Sequence, residues 1–570
     1  MNTGLSIETE RVDDIPVLVA EMNKMGITEL VDEHFATHGN WQGINLGRVM
    51  TGWLAHVLSE ADHRLNHVQN WAEKRPQTLQ GCLGADVSGE DFTDDRLAIV
   101  LDKLSEDRNW SNFEAALNRR TLRVYDLERK VVRLDSTTAN GYWEVTEDGL
   151  FQFGHSKDHR PDQPQVKVML STLDPLGMAV AVQVVSGEKA DDPLYIPAIE
   201  QVRRGLEQRG LLYVGDCKIM ALETRAYLQA GQDYYLGPFS KVQIPDEILE
   251  GYLQPVWDGK QNLTRVERMD ENGEKVWVAE GYERAESLTT WVGEKSVTWM
   301  ERRLVVRSLA QAHAAEAALH ARLDKAEAAL QNLNERRQGK ERQIEVETLR
   351  RTAETLLKQN DVQGLFTLSY TERVEERAVR SYGDRPAETR IERSLILVVE
   401  RDETAIRAAI ARLGWRVYGT NQPAKQLSLE QAVLAYREEY RVERNFGRLK
   451  GKPLSLTPTY LQEDHRATGL IRLLSIGLRV LSLLEGVVRQ QLAETKSKLA
   501  GLYVGNPKRA TARPTAEALL QTFKDIFLNV AQIGNQTHRH ITPLSDLQFR
   551  ILTLLGLPSE IYLALADDSS

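Results

Sequence analysis

The stretch KVVRLDSTT at residues 130–138, followed by VKVMLSTLDPLGMAVAVQVV at 166–185 and LLYVGD at 211–216, decides the fold. The first segment reads as an apolar strand ending at a polar tip that carries Asp135. The second reads as two strands joined by the turn Asp174–Pro175–Leu176–Gly177, a Pro/Gly turn signal. The third is short and continuously apolar, the pattern of a strand buried on both faces, and it ends in Gly215–Asp216. Helical spacing near 193–209 and 222–230 and a last short strand, DYYLGP (233–238), complete the order β-β-β-α-β-α-β. That order predicts three antiparallel strands followed by parallel additions, an α/β mixed sheet with helices on its faces.

Outward from this core the texture changes. Residues 12–130 read as helical, with apolar spacing in segments such as 46–58 and 97–104. Beyond residue 238, strand-like pieces (SVTWMERRLVV, LFTLSY, RSLILVVE) flank a long helical segment. In it Leu319, Leu323, Ala326, Leu330 and Leu333 alternate by four and three, and Gly339 could turn it back into a second helix over 344–357, a helical hairpin inside an insertion. WRVYGTN (415–421) reads as a strand. Ser428 with Gln431 makes a capping box for a single helix running to about Lys450. The remainder is expected to be mostly helical, broken by NPKRATARPT at 506–515. The expected domains are therefore 1–130, 131–237, 238–411, 412–480 and 481–570.

At 570 residues, with 42% hydrophobic and 27% charged residues, the composition is that of a globular protein. Two cysteines, Cys82 and Cys217, exclude a disulfide framework, and a cytoplasmic location is expected. MNTGLSIETERVDD has no basic start followed by an apolar run. The most apolar stretch, 470–488, carries Arg472, Arg479 and Glu485, which suits a buried core helix better than a membrane span. Net charge is −10, but it is unevenly spread: residues 1–100 hold 16 acidic and 7 basic side chains, whereas 441–510 hold 13 basic and 5 acidic. A basic C-terminal third is compatible with a local DNA footprint.

Three acids stand where a metal site would want them. Asp135 and Asp216 close neighbouring strands, where mutual repulsion calls for a cation. Oxygen-only ligands suit Mg²⁺ or Mn²⁺, and two such ions can activate a nucleophile and stabilise the leaving oxygen of a phosphodiester. In AYREEYRVERNFGRLKG (435–451), Tyr436, Glu443 and Lys450 are spaced seven and seven, one stripe on an unbroken helix. Relative to Glu443, Glu438 should face elsewhere, and Glu439 sits one turn away along the axis. His155, Lys157, His159 and Arg160 form a basic cluster suited to DNA backbone, with the histidines in a loop rather than a zinc pair. Lys508, Arg509 and Arg513 could track phosphates. Asp192 is a possible auxiliary acid or a polar loop residue, and Cys217 a small buried side chain. Trp291, Trp299 and Trp415 could stack on an unpaired base, with core packing the simpler role.

Taken together, these residues resemble the DDE transposases of bacterial insertion sequences, in the superfamily of insertion sequence four. That family's signature is Tyr, two residues, Arg, three residues, Glu, six residues, Lys. Tyr436, Glu443 and Lys450 fall in register, while the Arg position holds Glu439, and Arg437 or Arg441 is left to supply the missing charge. Leu134–Thr138 and Tyr213–Lys218 resemble the two Asp motifs, and GHSKDHRPDQPQVKVML (154–170) resembles the branch of insertion sequence sixteen-thirty-four. The resemblance implies a ribonuclease-H-like core interrupted by an α+β insertion, with helical N- and C-terminal regions and residues 1–130 reading DNA ends. It further implies two Mg²⁺ or Mn²⁺ ions on Asp135, Asp216 and Glu443. The partners implied are terminal inverted repeats and target DNA, bound by a homodimer. Tyr436, Arg437, Arg441, Lys450, Lys157, Arg160, Lys508 and Arg509 would contact DNA. A DNA-binding regulator that has lost catalysis, or a helical scaffold assembling through 309–357, are the rival expectations.

Overall fold

The structure, a computed structural model, describes residues 5–270, 273–335, 346–379, 388–459, 461, 463–533 and 536–566. The chain folds as two compact units. One comprises Met1–Gly237, Ser287–Trp299 and Ala435–Ser570, the other Pro238–Glu286 and Met300–Leu434.

In the first unit the strands Met178–Ser186, Gln165–Leu173, Val131–Asn140, Leu212–Gly215 and Tyr234–Pro238 lie side by side in that order. The first three are mutually antiparallel, and the last two add in parallel. This is the order expected from the apolar runs. The Asp135 strand, however, does not stop at Asp135. It continues to Asn140 because Asp135–Asn140 stay paired with Gln165–Leu170, whereas pairing with the parallel neighbour ends at Leu134 opposite Gly215. Asp135 therefore sits where one side of its strand has just lost its partner, and Asp216 is the first residue beyond the neighbouring strand.

Seven helices between Ile15 and Val124 fill the N-terminal region. The 31-residue helix Asp464–Glu494 is long and apolar enough to cross a membrane by length and composition. It is nevertheless a core helix, with 94% of its most apolar window buried. At Gly469 a Cβ would come within 2.2 Å of the Leu101 carbonyl oxygen, so glycine permits close approach to the helix Asp94–Ser105. Its arginines are answered internally. Buried Arg479 donates to Asn118 at 2.6 Å and pairs with buried Glu114 at 3.0 Å. Glu114 also accepts from Gln201, and Asn118 donates to the Val180 carbonyl, so one polar knot ties the N-terminal helices to the sheet.

The C-terminal region is less helical than expected. Phe527–Ile533 pairs with Gln536–Ile541 and, antiparallel, with Leu5–Arg11. This pairing joins the two ends of the chain, and a contact so distant in sequence leaves no local turn signal to read.

In the second unit Thr264–Met269 pairs antiparallel with residues 275–281, and Trp415–Thr420 pairs antiparallel with residues 302–307. A second, two-stranded sheet pairs Phe366–Val379 with Glu388–Arg401. The helices Leu309–Gln331 and Val346–Gln359 pack through Leu319, Leu323, Ala326, Leu330, Leu349 and Ala353, the seam read from the heptad spacing. Gly339, the expected turn, lies outside the described residues.

The expected single helix from Ser428 to Lys450 is two helices. The capping box forms, with Ser428 and Gln431 exchanging backbone and side-chain hydrogen bonds, but the first helix ends at Arg437 and the second starts at Tyr440. Between them the Glu438 and Glu439 amides bond three residues back, to Ala435 and Tyr436. The Ala435 carbonyl, which an unbroken helix would give to residue 439, also accepts a 2.7 Å bond from Arg133. The seven-and-seven stripe thus does not survive as one helical face.

Removing Arg479 leaves Glu114 buried without its cation, which is expected to cost about 3–5 kcal/mol in Arg479→Ala. The apolar double replacement Arg479→Met with Glu114→Leu should recover most of that loss. Urea unfolding followed by far-UV circular dichroism checks both. An unchanged midpoint for Arg479→Ala would remove the knot from the account.

Candidate active site: carboxylates beside the central strands

Alternation along the strand puts Arg133 and Asp135 on the same face of the sheet. Arg133 is almost fully buried, forks onto Asp174 at 2.7–3.0 Å and donates to the Ala435 carbonyl. Helix Tyr440–Lys450 is fixed to the same turn, because Asn445 donates to the Gly177 carbonyl at 2.6 Å and Arg441 lies 3.4 Å from Asp174. Behind it, Glu485 gathers Arg444, Arg448 and Arg489. A segment about 300 residues away in sequence is thereby held over the face that bears Asp135.

Asp216 is oriented by two donors to the same oxygen, the Tyr195 hydroxyl at 2.6 Å and the Lys218 amide at 2.9 Å. Tyr195 is buried, and burial together with the Asp216 charge holds its hydroxyl protonated far above the ordinary range. Gly215 packs closely beneath this contact, since a Cβ there would lie 3.1 Å from the Tyr195 ring. Asp135 is largely buried. Burial raises its carboxyl to about 7, with the Lys157 charge opposing and the charges of Asp216 and Glu439 adding to the rise.

The helix break decides which glutamate approaches. Glu439, half-buried, has its carboxyl raised by burial first and by the charges of Glu443 and Asp216, against a hydrogen bond from Tyr436. Its charge is felt at Asp135, and that of Asp216 is felt at Glu439. Glu443 stands exposed on the first turn of the following helix, electrostatically coupled to Glu439. Asp135, Asp216 and Glu439 thus act on one another electrostatically, with Glu443 one turn on. Among the described residues no three acidic, His or Cys side chains are close enough to hold one ion together. The donor set is all oxygen, which suits a hard divalent cation.

Cations already lie inside the cluster. Lys157 donates to the Ser136 carbonyl at 2.6 Å and hydroxyl at 2.9 Å, and its ammonium is 3.6 Å from Asp135 and 3.7 Å from Asp191. Asp191 also pairs at 2.7 Å with Lys167, a lysine buried in the sheet. Burial works to raise the Asp191 carboxyl, but the Lys167 hydrogen bond and the Lys157 charge bring it below its usual range. Sequence reasoning weighed Asp192, which is exposed and pairs with Lys218 at 3.2 Å. It missed Asp191 and Tyr195, whose roles depend on partners from other strands. The one available signal was the ADDPLY string itself.

The remaining candidates divide. Lys450 is paired with Asp158, Arg441 with Asp174 and Glu438, and Arg160 with Asp162. His155 and His159 are exposed, and His159 has φ +55°, so they form no helical pair. Lys508, Arg509 and Arg513 are exposed, with Arg509 over the Tyr503 ring. Cys217 is half-buried. Trp299 is buried and donates to the Tyr235 hydroxyl, Trp415 is buried, and Trp291 is 67% exposed.

Residues 7–114 match a family model described as a domain of unknown function, DUF4277. No curated protein matches the chain. Among solved structures, the chain is similar to a piggyBac transposase in a synaptic complex with hairpin DNA, at 8% identity and a TM-score of 0.31, over 95% of this chain and 83% of that one. A TM-score of that size is too low to establish a common fold.

Asp135 carries a pH prediction. Its folded-state value, about 7, lies above the unfolded value near 4, so the ionised carboxylate opposes folding. The cost is absent below about pH 4, grows through pH 4–7 and is complete above. In chelator-treated protein, Asp135→Asn should melt several degrees above wild type at pH 8, with the gap closing by pH 5. An equal gap at both pH values would show that the carboxylate is not strained.

Proposed function

We propose that this chain is a DDE transposase that cuts and joins DNA with two divalent ions. The observation that carries this reading is the register Leu134 opposite Gly215. It places Asp135 and Asp216 side by side at the tips of parallel pairing, under a glutamate-bearing segment anchored by Arg133. Three antiparallel strands extended by two parallel ones are what a ribonuclease-H-like core requires, and the Asp, Asp and Tyr–Glu–Lys motifs agree with it. The motif register assigns Mg²⁺ or Mn²⁺ to Asp135, Asp216 and Glu443, although in the ion-free protein it is Glu439, not exposed Glu443, whose charge acts on Asp135. When bound, such ions lower the pKa of an attacking water or 3′-hydroxyl and neutralise the leaving oxygen.

The protein's own groups prepare that chemistry. Tyr195 and the Lys218 amide fix one oxygen of Asp216. Lys450, once released from Asp158, supplies a charge for phosphate, and Lys157 and Arg160 belong to the same loop. Exposed Lys508, Arg509 and Arg513 offer a backbone track outside the cluster. The DNA partners would be element ends and target, engaged by a homodimer in the bacterial cytoplasm, with the N-terminal helices reading the end. A second reading, a catalytically impaired regulator on the same fold, is favoured by one feature. Glu439 puts a negative charge where the signature has Arg, close to where phosphate would approach.

Asp216→Ala should lose Mg²⁺-dependent nicking of element-end DNA by a factor on the order of 10³ or more while retaining end binding. Glu443→Ala should do the same, whereas Glu439→Ala should retain cleavage and bind DNA more tightly. Wild-type nicking by Asp216→Ala would sink the enzyme, and binding without nicking by the wild type would leave the regulator.

Replacing Lys508 and Arg509 by Ala should weaken binding to all sequences alike and lower the slope of log K against log salt by about 1 per lost phosphate contact. An unchanged slope would take this loop out of the DNA path.

A further inference from the structure

The charges of Asp216 and Glu439 act on Asp135, and the Lys157 ammonium lies 3.6 Å from Asp135 and 3.7 Å from Asp191. Its position is specified rather than incidental. The Ser136 carbonyl and hydroxyl take two of its three protons, and the backbone amide of Lys157 donates to Thr138 at 3.0 Å, which pins the loop to the Asp135 strand. Asp135 and Asp191 stand at nearly equal distances from the ammonium, 3.6 and 3.7 Å. Asp191 is itself fixed, because its other oxygen is held by buried Lys167. A divalent ion at Asp135 would lie a few Å from this ammonium, and two cations that close repel strongly in a half-buried site.

We propose that Lys157 is a built-in competitor for the metal position at Asp135, neutralising that carboxylate in the free protein and transferring to Asp191 when an ion enters. This inference rests on the metal-dependent reading above. The geometry supplies both ends of the exchange, since the ammonium need only lean from one carboxylate to the other while keeping its Ser136 bonds. The adjacent residue, Asp158, neutralises Lys450 in the same way. The 157–158 pair thus covers one anionic and one cationic group that metal and DNA would use.

The test is Mn²⁺ binding to the full chain at pH 8, read by the loss of the free-ion signal in electron paramagnetic resonance. Lys157→Met should bind Mn²⁺ about tenfold or more tightly than wild type, with Lys157→Gln as a second variant should the first not fold. Asp191→Asn should weaken binding in the wild-type background and have much less effect when Lys157 is already Met, the coupling expected if Asp191 acts by receiving the ammonium. Asp135→Asn should abolish the site in every background. If Lys157→Met and Lys157→Gln bind as wild type does, or more weakly, while Asp135→Asn abolishes binding, the competitor role is wrong and the metal reading stands. If neither wild type nor Lys157→Met shows Asp135-dependent binding, both fall. Binding by Lys157→Met alone would support the competitor role in its strongest form.

Discussion

The guanidinium of Arg133 is the contact on which the site depends. It lies at 1% exposure in the central strand, where Asp174 offsets its charge through Nε and Nη2 while its Nη1 has no hydrogen-bond partner among the described residues. Its partners are chosen from two distant places. Asp174 lies in the turn between the next two strands, and the Ala435 carbonyl lies where the last core segment arrives. One buried charge therefore sets the height of the glutamate-bearing segment above the sheet. It also bonds the carbonyl that an unbroken helix would give to residue 439, at the point where the helix is interrupted. The position of Glu439 follows from that break.

The rest of the site is governed by repulsion. Asp135 and Asp216 are neighbours because parallel pairing ends at Leu134 and Gly215, and burial makes their proximity expensive. The protein lowers that cost with hydrogen-bond donors and fixed cations: Tyr195 and a backbone amide on Asp216, Lys157 beside Asp135, Lys167 on Asp191. A site stabilised in this way is preorganised for added positive charge and resists further negative charge. On the proposed transposase reading, DNA phosphate approaches together with metal rather than before it.

The sheet was legible because its signals are local. The continuous run of LLYVGD and the Asp174–Gly177 turn specify strands whatever surrounds them, and the apolar seam of Leu319–Leu330 specifies a helix packed on one side. Asp216 was legible as the polar residue just beyond an apolar strand. The strand of Asp135 runs on to Asn140, so the change from apolar to polar residues there marked the end of parallel pairing and not the end of the strand. The helix break at Glu438–Glu439 was not legible, because the carbonyl bonded there is held by an arginine 302 residues away in sequence. Asp191 and Tyr195 escaped notice because a loop acid and a helix tyrosine acquire roles only from Lys167 and Asp216, which no spacing rule links to them. The pairing of Leu5–Arg11 with Phe527–Ile533 failed to register on similar grounds.

The central claim is that Asp135 and Asp216 serve a metal that touches the scissile phosphodiester. The most direct measurement places sulfur for the leaving 3′-oxygen in element-end DNA and compares cleavage in Mg²⁺ with cleavage in Mn²⁺. A hard ion bonds sulfur poorly and a softer one tolerates it. The account predicts that the sulfur substrate is cut far more slowly than normal DNA in Mg²⁺ and that Mn²⁺ restores the rate. Cleavage of both substrates at equal rates in either metal, or cleavage that persists in chelator, would contradict it.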